Sequence, residues 1–463
     1  MKKWPISFYI LSFAALTTAI FPAIADGFDV KSARLQILWS APITYEPSSI
    51  TPEIGKAYKG SDLLPSRKGF SLDKATTFPD GRIVFLGSFL DAKSFSRELL
   101  INAEQHSPNE ITKLQLKGAQ PVLIDPPSFL ERILGFKEIK PSDIPELYSL
   151  AADGDGTIWV GGSTHYYRDL GSAPHSDVYL AKLDNHATPL WERAYKIGRK
   201  SFIAGMTPTS TGNLVVVADD LFTPSWLALI AASDGHLIWE RNLGNGKGIA
   251  LVPAHNDRFI VANFDAEGSG ATYQENVSVR TISADGQLGS ATTIRQAINK
   301  EIGSYYGSLK MSATEDGAYV VSNWEVSFLS NPSLLQPSEI AKVNAEGKLL
   351  WSKILPDSFK MNTDRGGATF CSDPAIATLA NGDALVACSL NGQIRLHKFD
   401  RYTGNDEQSS LSLPSSVCDG GGYPGSLFLF VLKDGTILLS GSRNGNDAAQ
   451  GCSWLGHLTI RKS

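Results

Sequence analysis

Seven residues scattered along the chain are of types that bind ligands. Asp220, Asp265 and Glu325 are carboxylates, Arg443 is a guanidinium, and His165, Tyr166 and Tyr167 form a short run of imidazole and phenol rings. Carboxylates brought to one place hold a cation or an amine, and a guanidinium pairs with an acidic group through two parallel hydrogen bonds. The aromatic run, with Tyr305 and Tyr306, offers flat apolar faces with polar tips, a composition suited to sugars or peptides. No local catalytic motif accompanies them. The chain has no nucleophile elbow in a hydrolase setting, no HExxH, no P-loop and no dinucleotide fingerprint after a strand, so no catalytic residue is assigned. Carboxylates for glycoside chemistry converge from separate segments without leaving a local motif, which keeps an enzymatic alternative open.

Cys371, Cys388, Cys418 and Cys452 all lie in the last quarter of the chain. An even number in an exported protein reads as disulfides, and four cysteines allow three pairings. The spacing lacks CxxC and CxxH, so zinc is set aside and neither a metal nor a cofactor is predicted. Asp153-Gly154-Asp155-Gly156 spaces two carboxylates as calcium loops do. It lacks the remaining loop ligands and reads as a hairpin turn.

What must position these groups is a repeat. A polar turn followed by six to eight mostly β-branched or aromatic residues occurs as DGRIVFLGSF from Asp80, DGTIWVGGST from Asp155, TGNLVVVADD from Thr211, NDRFIVANFD from Asn256, DGAYVVSNWE from Asp316, NGDALVACSL from Asn381 and DGTILLSGSR from Asp434. A short apolar segment precedes each copy, and DG or NG supplies the positive φ of a tight hairpin between the two. A second hairpin follows six of the copies, most clearly from Asp177, Trp226 and Glu339, with Trp191, Trp239 and Trp351 at matching positions in its second strand. An aromatic there packs between neighbouring sheets.

Four antiparallel strands repeated seven times predict an all-β fold, a seven-bladed β-propeller. The seventh copy ends without a fourth strand, and LQILWSAPI from Leu35 lies in register with KLLWSKILP from Lys348. The N-terminal strand therefore completes the C-terminal blade and closes the ring, leaving no open sheet edge at the junction. Residues 26–463 are expected to form a single domain. Residues 1–25, with Lys2 and Lys3 before an apolar run that ends at Ala23-Ile24-Ala25, read as a signal peptide, placing the protein in the periplasm or outside the cell. The formal net charge of -5 provides no basic footprint for nucleic acid, and neither a membrane span nor a lipid-anchoring cysteine is read. A monomer is expected.

DGDGTIWVGGST from Asp153, with the following DVYLAKLDNHATPLWERAYKIG, resembles the repeats of bacterial exported β-propeller proteins of the SBBP-like kind. ASDGHLIWERNL from Ala232 and NAEGKLLWSKIL from Asn344 are similar to quinoprotein-like repeats. The resemblance implies the fold over most of residues 26–463 and extends no further, because function does not follow from shared strands. The adjacent cysteine pair of quinoprotein alcohol dehydrogenases is absent.

In such a sheet the turns after the first and third strands emerge at one end, and the connections after the second and fourth at the other. The second set is the longer, as in 117–146, 326–337 and 356–374. Rigid scaffolds carry binding groups on such connections. Aligning the seven copies puts Phe89, Thr164, Asp220, Asp265, Glu325, Leu390 and Arg443 in one column at that rim, with the His165 and Tyr305 runs in adjacent loops. Pairing Cys371 with Cys388 and Cys418 with Cys452 staples the same end within single blades. The expectation is an exported binding or interaction protein engaging a protein, peptide or glycan through this face. The alternative is a propeller enzyme with its site at the channel mouth, either a quinone- or metal-assisted oxidoreductase or a carbohydrate-active hydrolase or lyase.

Overall fold

The computed structural model describes residues 34–42, 70–78, 83–90, 95–102, 111–114, 122–123, 146–166, 175–185, 189–197, 201–220, 225–244, 247–267, 274–296, 305–326, 337–356, 359–362, 367–371, 374–390, 393–411, 422–445 and 452–461. The expected signal peptide, Tyr167 and Cys418 lie outside them. Among the described residues there is no helix, and the fold is all-β.

Strand β1 (Arg34–Pro42) comes first in the chain but belongs to the last sheet. Sheet 1 contains β2 (Phe70–Thr77), β3 (Ile83–Leu90), β4 (Phe95–Asn102) and β5 (Ile111–Leu114). Strand β6 (Val122–Leu123) adds itself to sheet 2, otherwise built from β7 (Glu146–Ala152), β8 (Ile158–Tyr166), β9 (His175–Leu183) and β10 (Pro189–Tyr195). Sheet 3 contains β11 (Ser201–Pro208), β12 (Leu214–Asp220), β13 (Trp226–Ile230) and β14 (Leu237–Asn242). Sheet 4 contains β15 (Lys247–Pro253), β16 (Phe259–Glu267), β17 (Gln274–Ile282) and β18 (Thr292–Gln296). Sheet 5 contains β19 (Tyr305–Thr314), β20 (Gly317–Val326), β21 (Glu339–Asn344) and β22 (Leu349–Ile354). A separate two-stranded ribbon, β23 (Phe359–Asn362) and β24 (Gly367–Phe370), precedes sheet 6, which holds β25 (Ala375–Thr378), β26 (Ala384–Leu390), β27 (Gln393–Phe399) and β28 (Asp406–Leu411). Sheet 7 contains β29 (Gly422–Val431), β30 (Ile437–Gly445), β31 (Cys452–Arg461) and, on the outside, β1.

Apart from β1 in sheet 7 and β6, which pairs in parallel in sheet 2, the neighbours in each four-stranded sheet follow chain order and run antiparallel, as two successive hairpins require. The second strands are apolar without alternation because both of their faces are covered. Leu214, Val215, Val216, Val217 and Ala218 of β12 are all fully buried. Their even and odd positions pack into different cores: Val216 joins residues of sheets 2 and 3, and Val215 joins residues of sheets 3 and 4. Each such valine contributes about 1.5–3 kcal/mol. Further cores join sheets 1 and 2, 4 and 5, 5 and 6, and 6 and 7. The first strands touch in succession, β2 against β7, then β11, β15, β19, β25 and β29, and β2 also lies against β29. Sheets stacked face to face in this order make the fold propeller-like.

Strand β1 pairs antiparallel with β31, from Arg34 opposite Arg461 to Pro42 opposite Trp454. Strand β6 and the β23–β24 ribbon have no counterpart in the repeat read from the sequence. Both lie in connections between sheets.

Candidate functional site

The two ends of the sheets differ in construction. At one end the turns close on themselves: Gly212 donates its amide to the Thr209 carbonyl at 3.0 Å, Gly382 to Leu379 at 2.8 Å and Gly347 to Asn344 at 2.9 Å. Asp153 to Gly156 is a turn of this set, with Gly156 N–H on the Asp153 carbonyl at 3.1 Å. Its Asp155 carboxylate accepts from Thr157 Oγ1 at 2.6 Å and lies 3.8 Å from Lys182 Nζ.

At the other end the strands overrun. The β8–β9 ladder continues to Tyr166 opposite His175, β16–β17 to Glu267 opposite Gln274, and β19–β20 starts at Tyr305 opposite Val326. His165, Tyr166, Tyr305 and Tyr306 are therefore strand residues, where the sequence placed them in loops. Ladder pairing satisfies the backbone groups that a loop would leave to water, so the hairpin extends for as long as both arms stay paired.

The column read from the sequence falls at the far ends of the second strands. Asp220 ends β12 opposite Ser201, Asp265 lies in β16 opposite Asn276, and Glu325 lies in β20 opposite Tyr306. Arg443 lies in β30 opposite Cys452 on one side and Pro424 on the other, and His165 lies opposite Ser176. The three carboxylates thus belong to three consecutive sheets. Asp265 is half-exposed and accepts a hydrogen bond from the amide of buried Asn263. Among the described residues no group of three or more His, Cys, Asp or Glu is placed to hold a metal ion.

Beneath this rim lies a set of buried polar groups that the sequence reading missed. Ser176 Oγ donates to the Ser201 carbonyl at 3.3 Å, tying sheet 2 to sheet 3. Arg295 of β18 reaches into sheet 5, where its Nε lies 3.0 Å from Glu339 Oε2, Nη1 donates to Ser322 Oγ at 2.8 Å and Nη2 to the Pro337 carbonyl at 2.6 Å. Burial pulls this guanidinium down to about 10 while Glu339 opposes the shift, so it stays charged at neutral pH. Asn323 Nδ2 donates to the Cys371 carbonyl at 2.9 Å, and Ser338 Oγ donates to Asn323 Oδ1 at 3.2 Å. Cys371, immediately after β24, is disulfide-bonded to Cys388 of β26 with Cα atoms 5.3 Å apart. The signal in the sequence was a polar residue inside an apolar run, as in VVSNWE from Val320. Its partners lie in another repeat.

The turn end is tied differently. Ser210 donates both its amide, at 3.0 Å, and its hydroxyl, at 2.7 Å, to Asp257, which joins the turns of sheets 3 and 4. The Ser210 hydroxyl holds the Asp257 carboxyl below its usual range. An open groove of about 480 Å³ lies there, lined by Pro208, Thr209, Ser210 and 253–259. Buried Lys342 lies 2.9 Å from Asp316 and donates to the Arg401 carbonyl of sheet 6 at 3.3 Å.

No protein-family model matches the chain, and no curated protein matches it in sequence. The likeness to quinoprotein-like and SBBP-like repeats is thus carried by no family match. Among solved structures, an α-L-arabinanase of Penicillium chrysogenum is 11% identical, with 92% of this chain and 98% of that one covered at a TM-score of 0.42. An ulvan lyase is 8% identical, with 86% and 97% covered at 0.48. A sialidase of Trypanosoma rangeli is 10% identical, with 84% and 55% covered at 0.41. At these identities and scores none of them assigns an activity to this chain.

Proposed function

We propose that the protein is an exported seven-bladed β-propeller, residues 26–463 after a signal peptide of 1–25, whose overrunning-strand face binds an extended glycan. One observation carries the reading: among the described residues three hairpins overrun their sheets at one end, while hydrogen-bonded turns close the other. The contact of β2 with β29 and the pairing of β1 with β31 support a ring closed by the two chain ends. The Cys371–Cys388 disulfide fits an oxidising compartment.

Carboxylates at Asp220, Asp265 and Glu325, the Arg443 guanidinium, and the rings of His165, Tyr166, Tyr167, Tyr305 and Tyr306 make a mixed polar and aromatic set. Sugars present the complementary chemistry, apolar C–H faces ringed by hydroxyls. A second reading, a carbohydrate-active hydrolase or lyase, is favoured by carboxylates at the ends of neighbouring strands, since glycoside chemistry requires two of them across one bond.

The test is to screen the mature chain against a panel of soluble polysaccharide fragments, recording both retention and release of new reducing or unsaturated ends. Saturable retention that falls at least tenfold in the Asp265→Asn, Glu325→Gln double variant, without product, is the expected result. Product formation transfers the reading to the enzyme. Retention of no fragment, or retention equal in both proteins, overturns it.

A further inference from the structure

We propose that the β23–β24 ribbon is an arm of the ligand face, held in place by a buried chain of groups that joins its two feet, with Asn323 as the residue that positions it. Its part in holding a ligand rests on the glycan reading; its anchoring does not.

The ribbon is a short antiparallel pair, Phe359 opposite Phe370 and Asn362 opposite Gly367, and it forms a sheet of its own. A two-stranded hairpin alone is at best marginally stable in water, so the order of this one comes from its feet. The first foot is Leu355, directly after β22, whose amide donates to the Ser338 carbonyl at 2.8 Å. The second is Cys371, directly after β24, which is covalently tied to Cys388 of sheet 6. Asn323 of β20 joins the two: its Oδ1 accepts from Ser338 Oγ at 3.2 Å, and its Nδ2 donates to the Cys371 carbonyl at 2.9 Å. Leu355, Ser338, Asn323, Cys371 and Cys388 are each at most 1% exposed. Hydrogen bonds shielded from water in this way hold their geometry firmly. Arg295 of sheet 4 also donates to the Pro337 carbonyl, one residue before Ser338. Groups from three sheets thus fix the feet.

Those feet stand at the ligand face. The ribbon lies in the connection from β22 to β25, which emerges at the overrunning end. Asn323 precedes Glu325 on β20 by two residues, and Cys388 precedes Leu390 on β26 by two. Each anchor is therefore about 7 Å short of the rim column. From sheet to sheet the column reads Asp220, Asp265 and Glu325, then Leu390 in sheet 6. The carboxylate row ends where the ribbon is rooted. Stacked sheets lie about 10 Å apart, so the row runs about 20 Å. An extended glycan lying along it meets the ribbon once it continues past Glu325. An arm already fixed adds contacts there without the entropy cost of ordering it on binding. Short fragments are held by the row alone, and longer ones by the row and the arm.

The probes are two ladders of β-1,4-linked oligosaccharides, one of glucosamine and one of glucose, from disaccharide to octasaccharide, titrated into the full mature chain by calorimetry. Glucosamine carries the amine that carboxylates favour. Hydrogen exchange over 359–371 is read in parallel. In Asn323→Ala, exchange there should quicken at least tenfold while 214–218 in β12 keep their protection. Affinity for the longest bound oligosaccharides should fall at least fivefold, with that for the shortest unchanged. The Cys371→Ser, Cys388→Ser variant alters no residue of β20 and should show the same split; it carries the test if Asn323→Ala does not fold. Equal losses at every length, or unchanged exchange over 359–371, overturn the proposal. So does binding of no member of either ladder by the parent, whereas the polysaccharide screen judges the glycan reading separately.

Discussion

The Trp191 indole N–H donates to the Ala232 carbonyl at 3.0 Å, across the boundary from sheet 2 to sheet 3. The same bond recurs from Trp239 to Ala284 at 3.1 Å and from Trp351 to Arg401 at 3.2 Å. The outer strand of one sheet thus grips the second hairpin turn of the next. Each grip joins two hairpins that are distant in sequence, so it stabilises the stacking of sheets more than any single sheet.

Trp351 shows how the grip divides between packing and hydrogen bonding. Its ring lies against Tyr319 and Phe399, with centroids 5.8 and 6.4 Å away. Trp351→Ala should cost about 3 kcal/mol, and Trp351→Phe about 1 kcal/mol for the lost bond with most of the packing kept. Urea unfolding of the two variants checks the ratio; equal losses would show that the ring contributes nothing beyond its N–H.

Gly235 sits in the turn that Trp191 covers, at φ 77°. A Cβ there would lie 2.7 Å from the Trp191 ring, so Gly235→Ala combines left-handed strain with a clash. The expected loss is about 2 kcal/mol or more, against roughly 1 kcal/mol for the conformational term alone. The paired variant Gly235→Ala, Trp191→Ala should recover part of it in a double-mutant cycle.

The Cys371–Cys388 disulfide closes a separation of 17 residues. Replacing both cysteines by serine should destabilise the protein by about 3 kcal/mol in the chain-entropy account. Proteolysis should then cut first near the β23–β24 ribbon, because the Cys371 end would retain the Asn323 hydrogen bond without the covalent link. Cleavage that begins elsewhere would separate the disulfide from the anchoring of the ribbon.

Acid should weaken the ties between turns. Asp257 is held below the ordinary 3.8 by the Ser210 hydroxyl and amide. Asp316 is also lowered: burial raises it, but bonds from Lys342 and Thr314 outweigh that. A depressed carboxyl contributes stability that is present above pH 3.8 and is lost as pH falls through the lower folded value. Stability measured from pH 5 to pH 2 should therefore fall less steeply in the Asp257→Asn, Asp316→Asn variant than in the parent. Parallel curves would remove both carboxylates from the acid response.

Deleting residues 34–42 removes the outer strand of sheet 7 and exposes the edge of β31. The truncated chain should fold poorly, and a synthetic peptide of those residues should restore part of its stability. A truncation as stable as the parent would refute closure of the ring by the N-terminal strand.

The hairpin repeat was legible in the sequence because it depends on local chemistry: DG and NG turns, doubly apolar second strands, and tryptophans at matching positions in three of the copies, two of them four residues after a turn glycine. The pairing of Cys371 with Cys388 was legible for the same reason, since both fall within one repeat. The pairing of β1 with β31 was also readable, because a strand's pattern survives separation from its partner. Less legible was the length of the hairpins beyond the sheets. His165, Tyr166, Tyr305 and Tyr306 lie among polar and glycine-rich residues that suggest loops, and only pairing to the opposite arm makes them strands.

By itself, then, the sequence determined the order of strands and which faces must be buried, since turn conformation and hydrophobic periodicity act over a few residues. Only the tertiary structure decided which groups meet across repeats: the Arg295–Glu339 pair, the Asn323–Cys371 bond, the carbonyls that accept from the tryptophan indoles and the attachment of β6 to β10. Those contacts depend on the distance and angle between sheets. Such quantities arise from side-chain packing summed over two whole faces, and no local stretch of sequence encodes them.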